Sequence, residues 1–74
     1  MLISLKDKNK KLVVKDILDI DFDMSVEQEN DKYFVQVNRQ YQLKDVYNTE
    51  EEAEEMMLKI ADIRNDLENE LRNF

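Results

Sequence analysis

The chain has 74 residues, 18 of them acidic and 11 basic, for a formal net charge of −7, and it contains no Gly, Pro, Cys, His or Trp. So short a chain supports one domain with a thin core. Without Cys there is no disulfide framework or thiolate metal site, without Gly no P-loop or dinucleotide fingerprint, and without His the commonest general base and metal ligand is missing.

The charge is unevenly spread. Lys6, Lys8, Lys10, Lys11 and Lys15 make the start basic, with Asp7 the one acid among them. Asp16, Asp19, Asp21, Asp23, Glu27, Glu29 and Asp31 then follow with no basic residue between them. Such a field favours cationic partners and opposes affinity for a phosphate backbone, so no direct nucleic-acid binding is expected. No apolar run is long enough to cross a bilayer, and no secretory pattern follows Met1, so the expected location is the cytoplasm.

Residues 1–6 read as a strand with Ile3 and Leu5 on one face. A polar turn at residues 7–10 would set Leu5 opposite Leu12 and Ile3 opposite Val14, giving a second strand at about 11–15. From Leu18 to Val26 apolar residues alternate with Asp19, Asp21, Asp23, Ser25 and Glu27, the period of a half-buried strand over about 17–27. Its parity continues that of Leu12 and Val14, with a break or bulge near residues 15–17. After a turn at residues 28–31, Tyr33, Val35 and Val37 would face Val26, Met24 and Phe22 in a strand at 32–38. A tight loop at residues 38–40 returns the chain along 41–46, with Tyr41 facing Val37.

The last third is the clearest element. Thr49 is placed as an N-cap with Glu52 three residues on, a capping box. Glu50, Glu51, Glu54 and Glu55 complement the helix dipole. Ala53, Met56, Met57, Ile60, Ile63, Leu67, Leu71 and Phe74 recur at spacings of three and four, which predicts an amphipathic helix over 50–73. Being adjacent, Met56 and Met57 are expected to serve different surfaces. The predicted fold is α+β: one domain over 1–74, an antiparallel meander of about four strands under one long C-terminal helix.

Asp19, Asp21 and Asp23 carry the most chemistry in this pattern. On one strand face they would repeat at ~6.6 Å, close to the spacing of nucleic-acid phosphates. An EF-hand wraps such a triplet round a Gly-containing loop, so no metal site is read here and no cofactor is implied. Phe34 falls by parity on the polar face beside Ser25, as an exposed aromatic or an interface anchor. Tyr33, Tyr41 and Tyr47 read as aromatics at the seam between sheet and helix.

The run YFVQVNRQYQLKDVYNTEEEAEEMMLKI is similar to the C-terminal half of many short proteins of low-GC Gram-positive bacteria and their phages, in which an aromatic hairpin leads into a Thr- or Ser-capped, Glu-rich helix. That resemblance implies a phage or mobile-element accessory protein and carries no site residues.

These features together give a non-catalytic protein-interaction module as the expected function. A homodimer is expected through Leu67, Leu71 and Phe74, because a helix of this length overhangs so small a sheet. The alternative is an acidic inhibitor that presents Asp19, Asp21, Asp23 and Phe34 to a basic host protein in place of nucleic acid.

Overall fold

The computed structural model describes residues 1–19 and 21–72. Ile20 and Phe74, both assigned above to apolar faces, lie outside the described residues. The elements are β1 (Leu2–Lys6), β2 (Leu12–Asp16), β3 (Met24–Glu29), β4 (Lys32–Val37), β5 (Tyr41–Leu43) and α1 (Glu50–Arg72). The fold is α+β, an antiparallel sheet with one C-terminal helix, as the pattern predicts. The sheet has five strands rather than about four, in the order β2-β1-β5-β4-β3. Only β3, β4 and β5 form a meander. The first hairpin joins it through Leu5↔Leu43 and Lys6↔Gln42, leaving β2 and β3 as the two edges.

One sheet face carries the core. Leu5, Val35, Val37 and Leu43 are buried there, under Ala53 and Ile60 of α1 and under Ile17 and Phe22 of the β2–β3 connection. Ala53 and Ile60 are two helical turns apart and define the seam of α1. Met56 and Met57 both pack half-buried against the core, which corrects their assignment to different surfaces. Adjacent helical positions differ by about 100°, so the two residues straddle the seam rather than oppose each other. The N-terminus of α1 forms as the sequence specifies, the Glu52 N–H donating to Thr49 Oγ1 at 3.2 Å.

The β1–β2 and β3–β4 registers differ from the sequence reading, for reasons of turn chemistry, whereas β4–β5 pairs Val37 with Tyr41 as expected. In the first, Asp7 N–H donates to Lys11 C=O (3.0 Å), and the Asp7 carboxylate accepts from Asn9 N–H (2.8 Å) and Lys11 N–H (2.9 Å). Lys10 adopts φ 63°, the left-handed residue that closes a three-residue loop. Leu5 therefore faces Val13 and Ile3 faces Lys15, one residue away from the expected pairing. In the second hairpin, Asn30 and Asp31 take φ 50° and 65° as a two-residue turn. Val26 then faces Val35 and Met24 faces Val37, a slip of two residues.

The expected strand over 17–27 begins only at Met24. Upstream, the Asp side chains and carbonyls fold the chain into turns. Leu18 N–H donates to Asp16 Oδ1 (2.9 Å), Asp21 N–H to Asp19 Oδ1 (3.0 Å) and Phe22 N–H to Asp19 C=O (3.0 Å). Asp is disfavoured in strands and forms such local bonds readily. The last strand is likewise shorter than 41–46. It is interrupted after Leu43, and pairing resumes at Tyr47, whose N–H and C=O exchange bonds with Tyr33 at 2.7 and 2.8 Å. The extra residues between put Val46 in solvent.

Candidate functional site

Three surfaces contain the residues that the sequence singles out. The first is the β2–β3 connection. Asp19, Asp21 and Asp23 do not form a strand-spaced row there, because the backbone between them turns. Asp19 is committed within the fold: its Oδ1 holds the Asp21 amide, and its Oδ2 lies 3.7 Å from Lys15 Nζ. The Asp23 backbone is clamped by Asn38, which accepts at Oδ1 from Asp23 N–H (2.8 Å) and donates its own N–H to Asp23 C=O (2.7 Å). Asp21 and Asp23 then border a shallow cleft with Arg39, whose positive charge offsets theirs. The phosphate-like spacing thus has no counterpart. Among the described residues, no three carboxylates are grouped to hold a metal ion.

Sequence reasoning missed the residue that fastens this connection. Arg64 Nε donates to Ile17 C=O at 2.9 Å and Arg64 Nη2 to Asp19 C=O at 3.1 Å, while Nη1 pairs with Glu68 at 3.2 Å. The signal was present. Arg64 lies eleven positions after Ala53, about 20° from the seam, where an apolar residue would be expected.

The second surface is the end of α1. Leu67 packs against the chain's own core, whereas Leu71 is 62% exposed. Phe74, the third residue of the expected dimer seam, lies outside the described residues.

The third surface is the sheet face turned away from α1, and the one-residue slip of the first hairpin brings Leu12 and Val14 onto it. Paired antiparallel residues share a face. Lys6 with Leu12, and Ser4 with Val14, therefore point away from Leu5 and the core. Leu2 is 69% exposed, Leu12 66% and Val14 53%. Phe34 is on the same face, directly opposite Glu27 rather than beside Ser25. It is half-buried in a depression of about 290 Å³ that it shares with Lys32, Gln42 and the exposed Val46. Lys6, Gln36 and Gln42 separate the two apolar groups. Lys32 reaches from the edge of the depression to Asn48 Oδ1.

Of the tyrosines, Tyr41 carries Lys15 over its ring, 5.1 Å from the centroid. The Tyr47 phenol is pushed above its ordinary value by burial first, and then by the Asp45 and Glu52 carboxylates. No described helix is long and apolar enough to cross a membrane. No protein-family model, curated protein or solved structure matches the chain.

Proposed function

We propose that this chain is a non-catalytic protein-interaction module whose working surface is the open face of the sheet. One observation supports the reading above the others: Leu2, Leu12 and Val14 stand in solvent on the face that also holds Phe34, although the chain has α1 to cover an apolar face and places it on the other side. Apolar side chains grouped on one exposed face mark an association surface, and aromatic anchors rimmed by polar residues concentrate its binding energy.

The test is site-specific photo-crosslinking of the full chain in its source cells. A benzophenone side chain in place of Phe34 or Leu12 should give protein adducts, and the same group in place of Glu55 on the outer face of α1 should give few. Equal labelling from all three positions, or none from the sheet face, would overturn the reading.

A further inference from the structure

Among the described residues, strand β2 pairs on one side only. Its hydrogen-bond phase is fixed at both ends by Asp7 N–H to Lys11 C=O (3.0 Å) and Ile17 N–H to Met1 C=O (2.9 Å). Bonding residues alternate along an antiparallel strand. The odd-numbered residues of β2 therefore bond β1, and Leu12, Val14 and Asp16 turn their N–H and C=O groups to the free edge. The side chains of the same three residues lie on the open face. We infer that this edge pairs with β2 of a second copy of the chain, antiparallel and centred on Val14, joining two sheets into one. The inference rests on the reading of the chain as a protein-interaction module and names a second copy as a partner, bound along the edge that borders the open face.

Three features make the edge self-complementary. First, a two-fold axis at Val14 gives a reciprocal pair of backbone bonds between the two Val14 residues. On either side the Asp16 N–H meets the facing Leu12 C=O, which is free; the Asp16 C=O is already engaged by Asp19 N–H at 3.0 Å. Second, the axis stands perpendicular to the sheet, so both open faces stay on one side. Leu2, Leu12 and Val14 of the two copies then form one apolar patch around the dyad, while both helices remain clear of it. Third, the charges agree. Each Asp16, with its own chain's N-terminal ammonium 3.7 Å away, arrives beside the other copy's Leu12, and Lys6 follows in the same row, paired with Leu12 on the same face. On the opposite face the two Lys15 residues approach each other diagonally. Each is already neutralised by its own Asp19 at 3.7 Å and stacked over Tyr41.

The other edge lacks these properties. Strand β3 ends in Glu27, Gln28 and Glu29, all exposed and preceded by Asp23, so a second β3 would meet it with like charge. Charged edges of this kind are how sheets resist pairing.

The experiment uses the full chain with Val14→Lys and Val14→Glu. Val14 is half-exposed and its N–H makes no bond to β1, so both variants should keep the wild-type circular dichroism and should melt like wild type diluted to monomer. By sedimentation velocity, wild type should be dimeric at tens of micromolar. Each variant alone should dissociate at least about tenfold more readily, because like charges then face each other across the axis. An equimolar mixture of the two should regain a dimer containing one of each. A monomeric wild type, or variants that dimerise unchanged, would sink the second copy as partner. If crosslinks from Phe34 to another protein persisted in that case, the interaction module would stand. If they too were absent, both readings would fall.

Discussion

The β1–β2 and β3–β4 hairpins have polar turns of similar appearance, and in both the alternation of apolar residues points to a pairing that the fold does not use. The difference lies in the parity of the slip. Between β3 and β4 it is two residues, so Val26, Met24, Val35 and Val37 keep the core face and only their partners change. Between β1 and β2 it is one residue, so every side chain of β2 changes face. Leu12 and Val14 go to solvent, and Val13 and Lys15 turn inward. A hairpin with aromatic and β-branched residues at matched positions absorbs an error in loop length; one whose second strand reads Leu-Val-Val-Lys-Asp does not, because Leu12, Val13 and Val14 give either face apolar residues.

The sharpest way to break this comparison is truncation at equivalent apolar positions. Phe22→Ala should destabilise by about 3–5 kcal/mol and Leu5→Ala by about 2–5 kcal/mol, since both are buried in the one core. Leu12→Ala should cost less than about 0.5 kcal/mol. Urea unfolding at low micromolar chain decides it, and a Leu12→Ala loss comparable to that of Leu5→Ala would restore the alternating register.

The exit from β2 supplies the next test. Arg64 holds the Ile17 and Asp19 carbonyls from α1, and charge-assisted hydrogen bonds contribute about 1.5–3 kcal/mol. Arg64→Met keeps the packing of the seam and removes the bonds. It should lower stability within that range and raise amide exchange over residues 17–19 before it affects β4. Uniform exchange along the chain would show that the connection is held by Ile17 and Phe22 alone.

The smallest effect concerns the turns themselves. Lys10 and Asn30 both hold positive φ, but Asn tolerates the left-handed region better than Lys. Lys10→Gly should stabilise by about 0.5–1 kcal/mol, and Asn30→Gly by a few tenths at most. Equal gains would mean that the two turns are strained alike and that the loop type at Lys10 is not what sets the register.

The sequence by itself determined the helix, its cap at Thr49 and its seam through Ala53 and Ile60, because a 3.6-residue period and a capping box are local properties. It also determined the α+β class, the core face of β4 and the pairing of Tyr41 with Val37. The run from Asp16 to Asp23 was legible too, though by its Asp content rather than its alternation: four Asp side chains in eight residues favour turns over a strand. Tertiary structure decided the rest. That β1 docks on β5, that Arg64 reaches back to Ile17, and that Val46 is displaced before Tyr47 depend on residues tens of positions apart. The exposure of Leu12 and Val14 on the open face, beside Leu2 and Phe34, follows from a single residue of loop length at Lys10. Hydrophobicity is indifferent to which of two apolar neighbours goes inward, and only the hydrogen bonds of the closed hairpin make that choice.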